Sequence, residues 1–299
     1  MRRVAAVDIG GTKIAVAEVN AEGDLGTRLT APTPSDRGAD AVLDTVTDLV
    51  LSLNGVEAVG VGSAGVIDPR TGVVVSATDT IKGWAGTPLR AELENRLRVP
   101  VAVAGDVHAH AVGEHRLGTA RHATSLLLVT AGTGIGGAWS VNGEVVPGTH
   151  GAAGHLGHVP VPAAVGRPCT CGGHGHVEAV ASGPAMTAEY RRRCRTTVHG
   201  LTDVVTRVRA GDPVAAAVLT DGGAALGSAL GGVVNTLAPD LVVVGGGVAN
   251  SGEPWWSALT TAVAEELLPA LRDVPVVRSI LGSDAALVGA AFMAWESFR

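Results

Sequence analysis

Between Val4 and Val19 an apolar run ends in Asp8, a polar and glycine-rich segment Gly10-Gly11-Thr12-Lys13 follows, and apolar residues return in alternation from Ile14. This pattern predicts a β-hairpin with a glycine-rich tip. It recurs between Ser125 and Val141, where Leu126-Leu127-Leu128-Val129-Thr130 runs into Gly132-Thr133-Gly134-Ile135-Gly136-Gly137 and then Ala138-Trp139-Ser140-Val141. The two halves therefore read as structural duplicates. Helical periodicity is expected over 39–53 and near 88–97, with a strand over 58–61 and a loop over 62–69 between them. A strand over 101–104 then delivers Asp106. Further on, 213–237 reads as a helix despite its glycines, 241–244 as a buried strand ending in Gly245-Gly246-Gly247, and 255–271 as another helix. A last apolar helix over 285–295 is expected to pack back on the first domain. The stretch 146–175, rich in Gly, Pro, His and Cys, lacks periodicity and reads as an ordered loop held by a metal.

These elements imply an α/β protein of two domains flanking a cleft. The smaller would hold residues 1–110 with 285–299, the larger residues 111–284 with the histidine and cysteine loop. The length of 299 residues, 46% of them hydrophobic and 17% charged, suffices to bury one large or two moderate cores. A net charge of -6 offers no general attraction for nucleic acid, and the run Arg191, Arg192, Arg193, Arg195 reads as a solvated helix face. The start leads directly into a strand without a signal-like apolar region, and no apolar run is expected to be long enough to cross a bilayer. Three cysteines, two of them in a tight Cys-x-Cys pair, suit metal ligation in a reducing compartment better than a disulfide framework. A cytoplasmic protein with neither membrane nor nucleic-acid partner is expected.

Glycine at a strand end lets backbone N–H groups approach phosphate oxygens that a Cβ would hold off. Thr12, Lys13 and Thr133 add a hydroxyl, a cation and a second hydroxyl, so both tips suit one polyphosphate. Gly132, Gly134 and Gly137 also satisfy the dinucleotide spacing G-x-G-x-x-G, but that fingerprint requires a helix next, and the pattern here predicts a strand. Ordinary hairpin turns explain either loop alone, not their pairing with Asp8 and Asp106. His158, Cys169, Cys171 and His176 supply two imidazoles and two thiolates, a set suited to tetrahedral zinc. His174 is a possible substitute ligand, and the alternative reading is a solvated histidine-rich loop.

With these residues in view, the chain resembles the ROK family of bacterial sugar kinases and repressors, through Asp8-Ile9-Gly10-Gly11-Thr12-Lys13, Gly132-Thr133-Gly134-Ile135-Gly136-Gly137 and the histidine and cysteine stretch. The resemblance extends over nearly the whole chain. It implies the actin-like ATPase (ribonuclease H-like) fold, with both hairpins on the phosphates of ATP and Gly245 to Gly247 near the adenosine. It implies Asp106 as the base that takes the sugar hydroxyl proton, although an aspartate there is also placed to cap the following helix. Asp8 would order magnesium through water. The family's usual Asn-Asp is here Gly105-Asp106-Val107-His108, and its zinc motif carries a cysteine where this chain has His176.

The resemblance sets the metal loop beside the sugar, where a structural zinc would orient His158 and Glu178 toward hydroxyls. Gly65, Gly105, Asp106 and His155 complete the expected sugar positions. Glucose kinases of the family usually carry Gly-Glu-x-Gly-His, whereas here the run is Gly154-His155-Leu156-Gly157-His158, as in bacterial N-acetylmannosamine kinases. A potential donor replaces an acceptor-only group. The sequence thus points to ATP-dependent phosphorylation of the 6-hydroxyl of N-acetylmannosamine. Glucokinase or another hexose kinase is the alternative, as is a non-catalytic sugar sensor or regulator, with polyphosphate as an alternative donor. Repressors of the family carry an amino-terminal helix-turn-helix, for which the first hairpin is expected to leave no room. A homodimer or homotetramer is expected from the resemblance.

Overall fold

The computed structural model describes residues 3–296 and 298; Met1, Arg2, Ser297 and Arg299, the outermost positions of the expected first domain, lie outside the described residues. The first alternating run forms β1 (Val4–Ile9) and β2 (Lys13–Val19), paired antiparallel with Asp8 opposite Ala15. β3 (Leu25–Pro32), which the hydrophobic pattern did not single out, adds along β2 as an edge strand. α1 (Ala39–Leu51) buries Val42, Leu43, Val46 and Val50, the helical stripe that predicted it. β4 (Ala58–Ser63), the short pair β5 (Val66–Ile67) and β6 (Val74–Ser76), α2 (Leu89–Leu97), β7 (Val101–Gly105) and α3 (Asp106–Arg116) follow. The first sheet has the order β3-β2-β1-β4-β7, its last three strands parallel.

β8 (Ser125–Ala131), β9 (Ile135–Val141) and β10 (Glu144–Val145) open a second sheet. After α4 (Glu178–Ala181), α5 (Gly183–Cys194), α6 (Leu201–Arg209) and α7 (Pro213–Leu237), the chain adds β11 (Leu241–Gly245), α8 (Glu253–Glu266) and β12 (Val276–Arg278), and it closes with α9 (Ala285–Glu296). The order β10-β9-β8-β11-β12 repeats that of the first sheet, two antiparallel strands beside a parallel set. By their contacts the residues group into Met1–Thr124, Ala138–Ala153 and Ile280–Arg299 as one unit, and Ser125–Gly137 with Gly154–Ser279 as the other. The border expected at residue 110 falls inside α3, a continuous helix, and this unit extends to residue 124.

In the first unit the strand alternation feeds two cores. Ala5, Val7, Ile9, Ile14 and Val16 face Leu43, Val46, Leu89 and Leu93, while Val4, Ala6, Ala15 and Ala17 face Leu287, Ala290, Ala291 and Ala294 of α9. The second face is built of small residues, so α9 approaches both the sheet and α3 closely. A Cβ on Gly289 would overlap the carbonyl oxygen of Ala109 in α3, and one on Gly60 would overlap that of Ala290. Gly289→Ala is therefore expected to destabilise the protein by about 3 kcal/mol, because backbone rather than a pliant side chain must give way. A denaturant titration checks this; an unchanged midpoint would mean that α9 shifts freely on α3.

In the second unit α7 starts at Pro213 behind the cap Asp212, whose carboxylate accepts from Val214 N and Ala215 N at 2.8 and 3.1 Å. Its Gly223 and Gly227 meet the backbone of α8, which explains why a glycine-rich segment is helical: the glycines permit close helix packing. At 25 residues and hydropathy 1.3, α7 is long and apolar enough to cross a bilayer, contrary to the sequence expectation, yet 61% of its apolar window is buried in the protein. α8 stops at Glu266, short of the expected 271, and a separate turn at Pro269–Leu271 follows, since the residue before proline is biased away from helical geometry. The basic run on α5 is engaged: Arg192 and Arg193 bond Glu189, Arg193 bonds Asp221, and Arg191 donates to Val198 O. These guanidinium bonds, that of Arg192 first, hold the Glu189 carboxyl down at about 2.

Candidate active site

In the first unit Ile9 of β1 pairs Ser63 of β4, which in turn pairs Gly105 of β7. Three parallel strands thus end level, and their carboxyl ends present Asp8, the loop at Gly65 and the pair Gly105-Asp106. This edge is where open α/β sheets receive ligands. The hairpin tip beyond Asp8 is closed by Gly10 N donating to Lys13 O at 3.0 Å, and is held to β3 by Thr33, whose N donates to Thr12 O at 3.1 Å and whose Oγ1 donates to Gly10 O at 2.7 Å. Thr12 and Lys13 remain exposed. Gly65 has φ +97° and sits 2.9 Å, measured from a Cβ built on it, from Ser76 O, so a side chain there meets both strain and backbone. Trp84, buried, donates its Nε1 to Ala64 O at 3.0 Å and fixes this loop.

Asp106 opens α3 and its Oδ1 accepts from Val107 N at 2.9 Å. The capping position is taken by Gly105, with no side-chain cap bond, and the Asp106 carboxylate holds the first-turn N–H of Val107 from inside the helix. Burial raises the Asp106 carboxyl above the ordinary range, opposed by the Val107 bond and by His110. Asp8 is pushed up to about 6, first by burial and then by the Asp106 charge, against the pull of Lys13, His110 and Arg28. A pair of mutually repelling carboxylates is a fitting place for a divalent cation, which relieves the repulsion. Gly105 has φ −60° and ψ 147°, open to any residue, and a Cβ there would stand at ordinary distance from Gly65 O and the His108 ring, 3.7 and 3.9 Å. His108 Nε2 lies 3.1 Å from Ala153 O.

In the second unit β8 and β11 are parallel, and their carboxyl ends release the loops at Gly132-Thr133-Gly134 and Gly245-Gly246-Gly247. Gly132 N donates to Gly134 O at 2.9 Å, and Thr133 is exposed at the tip. Strand β9, not a helix, follows this tip, which removes the dinucleotide fingerprint. Gly246 has φ +86° and faces Ala131 so closely that no side chain fits.

The loop after β10 contains short turns at Thr149–Gly151, Leu156–His158 and Pro162–Ala164 and two isolated bridges, Pro160 with His176 and Pro168 with His174. It brings His158, Cys169, Cys171 and His176 together, with all four ligand atoms within 4.8 Å of one another; His174 is not in this cluster. The Cys169 Sγ to His158 Nδ1 separation is 3.6 Å and that of Cys171 Sγ to His176 Nδ1 is 3.3 Å. The nitrogen to sulfur edge of a zinc tetrahedron is about 3.5 Å from the usual bond lengths, so the donor set fits that ion. Burial lowers the His158 imidazole, which favours the neutral ligand form, and raises the Cys169 thiol, a cost that a coordinated cation reverses. Glu178 Oε1 accepts from Thr170 Oγ1, between the two cysteines, at 2.6 Å, and Oε2 accepts from Ile135 N, next to the glycine tip, at 2.8 Å. The residue expected to face sugar hydroxyls therefore also ties the cysteine loop to the phosphate hairpin. His155 is exposed, its ring stacked on His158 with centroids 6.0 Å apart.

His110 is a residue that the sequence reading missed. Its signal was a histidine four residues after Asp106 and four before Glu114, set between Ala109 and Ala111.

The ROK family profile matches residues 4–297. The chain belongs to the ROK family. This ROK chain is 30% identical over 309 residues to a glucokinase of Halalkalibacterium halodurans, covering 96% of the chain and 93% of the relative. It is 31% identical over 291 residues to an N-acetylmannosamine kinase of Escherichia coli, covering 97% of each. A ROK family glucokinase from Streptomyces griseus, solved in complex with glucose and AMPPNP, superposes with a TM-score of 0.87 at 30% identity over 98% of this chain and 99% of that one. The fold of the ROK chain is accordingly the actin-like ATPase fold that the family resemblance had implied.

Proposed function

We propose that this ROK chain, an ATP-dependent hexose kinase, transfers the γ-phosphoryl group of ATP to the 6-hydroxyl of N-acetylmannosamine. The observation that carries the choice of sugar is His155, an exposed imidazole where glucose kinases of the family place a glutamate. A ring N–H donates to the carbonyl of an acetamido group, which a carboxylate can only repel. The N-acetylmannosamine kinase relative supports the same reading. The glucokinase relatives favour glucose as the second reading.

In this mechanism Asp106 accepts the proton of the attacking hydroxyl. The hydroxyl oxygen bonds to the γ-phosphorus while the bond to the β–γ bridging oxygen breaks, and ADP leaves with that electron pair. Burial raises the Asp106 carboxyl above the ordinary range, and a more basic carboxylate is a better proton acceptor than an exposed one. Backbone N–H groups at Gly10, Gly11, Gly132 and Gly134 receive phosphate oxygens, with Thr12, Lys13 and Thr133 beside them, and Gly245, Gly246 and Gly247 leave room for the adenosine. Magnesium, when bound, neutralises charge on the β and γ oxygens; Asp8 would hold it through water. His158, Cys169, Cys171 and His176 would hold zinc, whose contribution is order in the loop carrying His155. Gly65 and Gly105 border the sugar, and His158 and Glu178 face its hydroxyls. The same reading takes the protein to act in the cytoplasm as a homodimer or homotetramer.

An ADP-release assay with Mg-ATP and zinc-replete protein on N-acetylmannosamine, glucose, mannose, fructose and N-acetylglucosamine tests the assignment. The expected result is the highest kcat/KM on N-acetylmannosamine, and His155→Glu should shift preference toward glucose by about tenfold or more. A native preference for glucose would sink the N-acetylmannosamine reading and leave the hexose kinase standing.

A further inference from the structure

Of the two glycines at the strand ends beside Asp106, only one serves the backbone. Gly65 has φ +97° and a Cβ on it would stand 2.9 Å from Ser76 O, so the fold itself demands glycine there. Gly105 has φ −60° and ψ 147°, which any residue adopts. Among the described residues, the atoms nearest to a Cβ built on Gly105 are Gly65 O at 3.7 Å and Cγ and Nδ1 of His108 at 3.9 Å, all ordinary contacts. Neither strain nor crowding accounts for the missing side chain. The space it leaves lies one residue before Asp106, and Gly65, Gly105, Asp106 and His108 are all partly exposed, so it opens to solvent.

The walls of this space have a defined polarity. His108 Nε2 lies 3.1 Å from Ala153 O, and a carbonyl only accepts, so Nε2 carries the ring proton. In the neutral imidazole Nδ1 is then the acceptor. The ring keeps this orientation because Ala153 is itself fixed, its N donating to Pro147 O at 2.9 Å. The two polar atoms nearest the Gly105 side-chain space, Nδ1 of His108 and the carbonyl oxygen of Gly65, are thus both acceptors. They suit a neutral group that donates, and they repel a carboxylate or a phosphate.

We propose that His108 is a specificity-determining residue of the sugar site: its Nδ1 accepts a hydrogen bond from a sugar hydroxyl seated in the side-chain space of Gly105. This rests on the reading of Asp106 as the base, which brings the sugar to this end of β7. The hydroxyl concerned is not the 6-hydroxyl, whose proton goes to Asp106, but another on the same ring.

Glutamine and asparagine separate the two ring nitrogens, because the glutamine amide reaches as far as Nε2 and the asparagine amide as far as Nδ1. His108→Gln keeps a donor for Ala153 O and removes the acceptor beside Gly105. His108→Asn keeps an oxygen beside Gly105 and gives up the tie to Ala153. Calorimetry gives dissociation constants for native protein and both variants with N-acetylmannosamine or glucose, whichever native protein binds more tightly, and with the monodeoxy analogues of that sugar. Native protein should bind one analogue at least about tenfold more weakly than the parent sugar, because the acceptor loses its donor. His108→Gln should weaken the parent sugar about tenfold and shrink that discrimination to less than about threefold, with the KM for ATP changed by less than about twofold. His108→Asn should keep the discrimination. A glutamine variant that binds and discriminates like native protein would make His108 a tie for Ala153 alone and overturn the role, as would an ATP KM that rises as much as the sugar constant. If the glutamine variant does not fold, Gly105→Val carries the test by filling the same space, and unchanged sugar binding there overturns the proposal. Turnover by Asp106→Asn would instead overturn the reading of the base.

Discussion

Asp106→Asn is expected to lower kcat by about 10²- to 10⁴-fold while leaving the sugar dissociation constant nearly unchanged. Asparagine keeps the size of the side chain and an oxygen to accept from Val107 N, so the start of α3 should persist. It removes the proton acceptor alone. A neutral amide is also easier to bury than a carboxylate, and Asp8 loses the neighbour that helps to hold it near 6, so stability should be equal or slightly raised. Kinetics by ADP release, sugar binding by calorimetry and a thermal melt together check this. Turnover within a few-fold of native would remove Asp106 from the base role.

The second large effect is expected at the cysteine loop. Cys169→Ser should reduce zinc from about one ion per chain to near none by elemental analysis, and should lower the thermal midpoint by about 10 °C or more, because structural zinc sites contribute much of the folding energy of the segments they hold. Cys169 is the buried member of the pair, so its loss cannot be made good by solvent. Since Glu178 joins Thr170 to Ile135 N, the variant should raise the KM for ATP as well as for sugar. Native protein that holds no zinc, and melts unchanged with a chelator, would leave the four side chains without a metal role.

Much of this was legible because it depends on local pattern. Alternation with glycine interruptions marked β1 with β2 and β8 with β9, and apolar periodicity marked α7 despite its glycines. What escaped was set by tertiary neighbours. β3 has an exposed, mixed pattern because one of its edges is unpaired. α8 gave way before Pro269, where local backbone preference outweighed apolar periodicity. That Asp106 acts electrostatically on Asp8 follows from the level ends of β1, β4 and β7, which no spacing in the chain reveals. His110 was visible as a residue and invisible as chemistry, since nothing local says that Glu114 is buried beside it.

The small-residue face of the first sheet has a consequence for synthesis. Val4, Ala6, Ala15, Ala17 and Ala58 are translated long before their cover, Leu287, Ala290, Ala291 and Ala294. At about 5–20 residues per second the wait between strand and lid is of the order of ten seconds or more. During that interval the nascent chain displays an unsealed apolar sheet while the second unit is made, so binding sites for chaperones in this protein should lie on the amino-terminal strands and disappear once α9 leaves the ribosome. Slow closure of that long-range contact, rather than formation of either hairpin, should then set the refolding rate.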